Sequence, residues 1–134
     1  MSNALYTKGK EKFLSGSINL GSDTIKAALV SSSYTPNLAT DEFLSTISGV
    51  VLGTAVTLGT KAVTGGAFSA ADPLFTAVAS GATAKALVIY KDTGSSATSP
   101  LLAYLDTITG FPLATNGGDI QLRFDTGANK IFAL

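Results

Sequence analysis

Cysteine, histidine and tryptophan are absent from this chain of 134 residues, and methionine occurs once. Histidine is the side chain that most readily moves a proton near neutral pH, and cysteine is the most easily activated nucleophile. Losing both removes most catalytic arrangements and most transition-metal sites. Disulfides are impossible, which leaves the redox compartment open. Charge is also scarce, at 13% of residues against about 25% in an average globular domain. Nine basic residues balance nine acidic ones, so no net field draws the chain to nucleic acid or anionic lipid.

What is present is an apolar stock of 46%, enough at this length for one domain around one hydrophobic core. So little charge on a small domain points to an oligomer or a larger assembly. The alternative is a domain whose Ser and Thr hydroxyls supply its surface polarity. Residues 43–60 carry no charge and approach the length of a membrane helix. Their Ser and Thr residues, with Gly49, Gly53 and Gly59 between them, suit strands and turns, and a membrane span is not expected. Lys8, Lys10 and Lys12 are followed by no apolar run, so no secretory signal is expected.

Along the chain, Ser2 or Asn3 is placed to cap a helix over residues 4–15, and Gly16 to end it. Gly9 inside that helix costs about 1 kcal/mol relative to Ala unless close packing requires it. Strand periodicity then takes over. Residues 23–30 alternate Ile25, Ala27 and Leu29 with Thr24, Lys26 and Ala28, after which residues 31–40 form a loop around Pro36. Asp41 is placed to cap a helical turn through Phe43, Leu44 and Ile47. Residues 50–58 suggest a strand apolar on both faces, with a bulge or close backbone approach at Gly53. Gly65-Gly66 signals a turn within the weakly patterned residues 61–72, and a short strand is expected over 74–78.

The second half is plainer. Residues 83–91 suggest a central strand and 101–106 its partner, across the polar loop 92–100; the chain then turns at Gly110. Asn116-Gly117-Gly118 is a turn signal. After it Ile120, Leu122 and Phe124 face inward, and Gln121, Arg123 and Asp125 outward. A second turn over 125–129 leads to a final strand over 130–134. Several short strands with frequent turns predict a mainly β, single-domain antiparallel sandwich or barrel-like fold with a short N-terminal helix. Residues 1–16 form the helical arm in this reading, and residues 17–134 the β-domain.

Little chemistry is left. Nine carboxylates could supply a catalytic pair, but most of them flank strands, where Asp is an ordinary turn or cap residue. Asp41-Glu42 could ligate a cation, but capping explains it without one. No phosphate-loop spacing occurs, and Arg123 is the sole guanidinium, too little for nucleic-acid recognition. No enzyme activity, cofactor or metal is expected. Tyr90 and Tyr104 fall in predicted strands as core or edge residues. Tyr34, in a Ser-Ser-Ser-Tyr-Thr-Pro loop, is the better candidate for an interface.

Leu5-Tyr6-Thr7-Lys8-Gly9-Lys10, Phe13-Leu14-Ser15-Gly16-Ser17-Ile18, Asp23-Thr24-Ile25-Lys26, Asn37-Leu38-Ala39-Thr40 with Phe43-Leu44, and residues 86–94 form a pattern with Asn116-Gly117-Gly118-Asp119-Ile120 and residues 127–132. Together they resemble small structural proteins of tailed bacteriophages, over nearly the whole chain. The resemblance implies a virion component. Within that class the expectation is a capsid decoration (cement) protein on the capsid surface, with the major capsid protein as partner and a homo-oligomer, commonly a trimer, as its form. Leu5, Tyr6, Phe13 and Tyr34 are the expected interface anchors, reaching a neighbour from residues 2–15 or the loop 31–41. The alternatives are a tail or head–tail connector component, and a carbohydrate-binding adhesion module using Tyr34, Tyr90 or Tyr104.

Overall fold

A computed structural model describes residues 4–106, 111–123 and 131–133, and over these the chain is mainly β, with antiparallel sheets and one short helix. The largest sheet grows from β2 (Ile25–Ser31) and β7 (Thr83–Lys91), paired from Ile25 opposite Lys91 to Val30 opposite Ala86. Both are runs of apolar residues with few interruptions, as strands covered on two faces require. β8 (Leu101–Leu105) lies on the other side of β7, and β1 (Ala4–Leu5) pairs with its outer edge, Ala4 opposite Tyr104. β3 (Val51–Thr57) forms the opposite edge, on β2. β9 (Leu113–Ala114) joins β7 at Thr83 and Ala84.

Two small sheets complete the architecture: β10 (Ile120–Gln121) with β6 (Leu74–Phe75), and β11 (Phe132–Ala133) with β5 (Ala67–Ser69) and β4 (Ala62–Thr64). Gly65 and Gly66 join β4 to β5 with φ of +63° and +78°, the two positive dihedrals that a tight type I′ hairpin turn needs. Phe68, Phe75, Ile120 and Ile131 from this part share one core with Ile25, Leu29, Leu87 and Ile89 of the main sheet. The sheet's other face carries a second core, in which Val30, Val88 and Tyr90 meet Tyr6, Tyr34 and Ile47. The result is sandwich-like, with residues 32–50 covering a face that simple alternation along β2 would have left half open. Ala28 and Val30 are therefore as buried as Ile25 and Leu29.

The N-terminal segment departs from the expected arm. Residues 4 and 5 are strand, not helix, because the edge of β8 offers unpaired main-chain groups. Tyr6 continues the pairing through its N–H to Leu102 O at 3.0 Å, and α1 (Thr7–Leu14) starts only after it. Gly9 explains itself here: a Cβ at that position would lie 2.6 Å from Leu101 O and 3.1 Å from Leu102 Cα. The helix thus rests directly on the backbone of β8, and Gly16 ends it with φ of +80°. Within the described residues, 4–16 belong to the sandwich itself and not to a separate unit.

Other expectations fare unevenly. Gly53 takes φ of +69° where the pairing of β3 slips, Ala27 facing Val56 and Leu29 facing Leu52, so the expected bulge is present. The turn at Leu44–Thr46 is 3₁₀, and no side chain caps it; Asp41 is engaged elsewhere. Ile120 and Leu122 are buried while Gln121 and Arg123 are exposed. Ser2 and Asn3, Gly110, Phe124 and Asp125, and the turn over 125–129 lie outside the described residues.

Candidate docking surface

Two of the four expected anchors, Tyr6 and Tyr34, are turned inward. Tyr6 is fully buried and Tyr34 nearly so. Their hydroxyls are 2.8 Å apart, and the Tyr34 hydroxyl donates to Asp41 Oδ2 at 2.7 Å. Because Tyr34 has one proton to give, Tyr6 must donate to Tyr34, and the chain of bonds runs Tyr6 to Tyr34 to Asp41. Asp41 Oδ2 also accepts the Asn37 N–H at 3.0 Å, closing the loop that the sequence left to Pro36. Burial pushes the Tyr6 and Tyr34 hydroxyls above the usual phenol range, and the Asp41 carboxylate nearby adds to the effect. Leu5 and Phe13 are half-buried and pack against the larger core. Tyr6 and Tyr34 hold the N-terminal segment and the loop on their own sheet, which corrects their expected role as anchors on a neighbour, while Leu5 and Phe13 keep part of their surface exposed.

Tyr104 completes this interior cluster. Its ring stands edge-on to Tyr34, centroids 6.0 Å apart. Its hydroxyl is buried and, among the described residues, is the side-chain polar atom left without a hydrogen-bond partner. Burial raises its pKa, with Asp106 contributing. Tyr90 is 3% exposed. With Tyr34, Tyr90 and Tyr104 all interior, their rings offer no open face for stacking on a sugar.

The acids are occupied in structural roles. Asp23 accepts the Asn19 N–H at 2.7 Å and pairs with Lys91 at 3.3 Å, and its carboxyl is held below the ordinary range by those partners, the N–H first. Asp92 accepts the Gly94 N–H and pairs with Lys26 at 3.1 Å, with the same consequence. Asp119 accepts the Ala77 N–H at 2.9 Å. Among the described residues no three acidic side chains converge as metal ligands would.

Outside, the two edges of the main sheet differ in kind. The β1 and α1 side bears Lys8, Lys10 and Glu11, while Lys12 is drawn to Glu42 at 2.8 Å and lies over the Phe43 ring. Leu14, 89% exposed, ends the helix. The β3 side has almost no charge: residues 51–71 contain one charged residue, Lys61, whose ammonium donates to the Asp23 carbonyl. Gly53, Thr54 and Thr57 of β3 are exposed, and so is all of β4, including Val63 at 59%. This neutral, hydroxyl-rich flank was legible in the sequence as the uncharged stretch 43–60, but only the fold shows that it forms a sheet edge. No protein-family model and no curated protein matches the chain.

Proposed function

We propose that the protein is a non-enzymatic structural component of a tailed-bacteriophage virion, a capsid decoration protein that binds the outer surface of the shell and reinforces contacts between its subunits. The reading starts from the resemblance of residues 5–18, 23–26, 37–44, 86–94, 116–120 and 127–132 to such proteins. The observation that carries it beyond resemblance is the flank of residues 51–71, where Lys61 is the one charged residue, on a body whose tyrosines and most carboxylates are spent on internal bonds. A rigid sandwich with a neutral side is suited to contact and has little left over for chemistry. Many modest contacts repeated over a shell attach firmly through avidity. In this reading the shell and neighbouring copies are met by the exposed surface, including the β3 flank and Leu14, and not by Tyr6 or Tyr34.

The test is the copy number of this chain relative to the major capsid protein, measured by quantitative mass spectrometry of purified particles. A ratio near one, or a simple large fraction of it, supports decoration of the shell. A few copies per particle moves the protein to the tail or connector, and absence from particles ends the virion reading.

A further inference from the structure

Asn116-Gly117 is the one place in the chain where asparagine precedes glycine. That dipeptide is chemically labile, because a glycine nitrogen with no Cβ beside it can attack the asparagine side-chain carbonyl carbon and expel ammonia. Residues 116–119 are exposed, so water reaches them. Asn116 Oδ1 accepts the Gly118 N–H at 2.9 Å, and that bond polarises the side-chain carbonyl toward attack. The nucleophile, by contrast, is withheld. Gly117 N–H donates to Val78 O at 2.8 Å, and Val78 N–H donates back to Gly118 O at 3.1 Å. These two main-chain bonds fasten the turn to a buried residue. An amide nitrogen attacks only once its proton is gone, and a proton held on Val78 O is closed to hydroxide until the turn opens. Val78 is held in its turn by its neighbour. Ala77 has φ of +49°, a left-handed conformation that is strained for any residue with a Cβ. Asp119 Oδ1 accepts the Ala77 N–H at 2.9 Å and so fixes that conformation from the same turn.

We infer that Asn116 is a latent self-modification site, closed by Val78 and clasped by Asp119, which converts to aspartate and isoaspartate when the turn opens. In the open turn hydroxide removes the Gly117 amide proton, and Gly117 N bonds to Asn116 Cγ. The Cγ–Nδ2 bond then breaks, and the nitrogen leaves as ammonia with a proton taken from water, which returns the hydroxide. A cyclic imide remains. Water adds to one of its two carbonyls and opens the ring, to aspartate or to isoaspartate, each with a carboxylate where a neutral amide stood. Water is the only co-reactant. Isoaspartate lengthens the main chain of the turn by a methylene, and the new charge sits beside Asp119, so the bonds to Val78 do not re-form. The site therefore keeps a permanent record of opening where β6 meets β10. The inference stands whether or not the protein decorates a capsid.

The full chain is incubated in mildly alkaline buffer, folded and in denaturing urea, and conversion at Asn116 is followed by peptide-mapping mass spectrometry. Isoaspartate is scored separately by enzymatic methyl transfer. The folded protein is expected to convert more than about ten-fold slower than the unfolded chain, because reaction waits on local opening. Asp119→Ala is expected to raise the folded rate about five-fold, the worth of one hydrogen bond, and to leave the rate in urea unchanged. Tyr34→Phe, which loosens the fold away from this turn, is the control and should move the folded rate by less than about two-fold, since a local opening does not depend on global stability. Equal rates in the folded and unfolded chains would show that Val78 does not withhold the nucleophile. Equal acceleration by Asp119→Ala and Tyr34→Phe would replace the clasp with whole-molecule unfolding, and no conversion even in urea would remove the site. Each of these results overturns the inference.

Discussion

The Tyr6 hydroxyl donates to that of Tyr34 at 2.8 Å, although 28 positions separate the two in sequence. That bond ties the strand entering α1 to the loop covering the second face of the sheet, and Tyr34 passes the chain on to Asp41. Tyr104, against the same rings, has a buried hydroxyl with no partner. Three similar side chains in one cluster therefore carry different energies.

Tyr34→Phe leaves both the Tyr6 hydroxyl and Asp41 short of a partner and is expected to lower unfolding free energy by about 1–3 kcal/mol. Tyr104→Phe removes an unsatisfied group while keeping the ring, and is expected to be neutral or stabilising by about 1 kcal/mol. Urea unfolding of the two variants beside the parent separates them, and equal losses would show that Tyr104 also has a partner.

Gly9→Ala should raise helix propensity by about 1 kcal/mol in isolation. In the fold the added Cβ meets Leu101 O at 2.6 Å, which is backbone and cannot rotate away. A net loss of about 1–3 kcal/mol is expected, as for other overpacked sites, read as a lower melting temperature. A gain would mean that α1 does not lie on β8.

Raising pH acts on the buried phenols. Tyr6 and Tyr34 have folded-state pKa values above the unfolded value of about 10. Both states are neutral below that pH, so the stability is fully present there. Above it the unfolded chain ionises first, and stability falls as pH rises toward the folded values. Near-ultraviolet phenolate absorbance should therefore appear for these two tyrosines together with loss of structure. Their gradual ionisation in a still-folded protein would contradict the burial.

Lowering pH acts on Asp23 and Asp92, whose folded-state pKa values lie below the unfolded value. Their contribution is present above about pH 4 and is lost as pH falls through the folded values. Replacing both by Asn should lower stability at neutral pH and flatten the acid limb of a pH–melting-temperature curve. An unchanged acid limb would place the acid-sensitive groups elsewhere.

Where local chemistry is decisive, the residues already spell out the structure. β7 spans Thr83–Lys91 as expected, because an unbroken β-prone run between Gly81 and Asp92 has no competing conformation. Gly65-Gly66 makes its turn because few other residues accept two positive φ angles. The bulge at Gly53 follows from the same freedom. The lack of histidine and cysteine, and the charge-free residues 43–60, are likewise properties of the chain alone.

Tertiary structure decided which surfaces are inside. Residues 4 and 5 became strand because β8, nearly a hundred positions away, offered an open edge. Asp41 left its expected cap because a buried Tyr34 hydroxyl needed an acceptor. Tyr6 and Tyr34 resembled exposed anchors only while the face they cover was unknown. Periodicity shows that a residue has an apolar or polar side, but burial depends on what packs against that side, and packing partners are set by long-range pairing that no local pattern records.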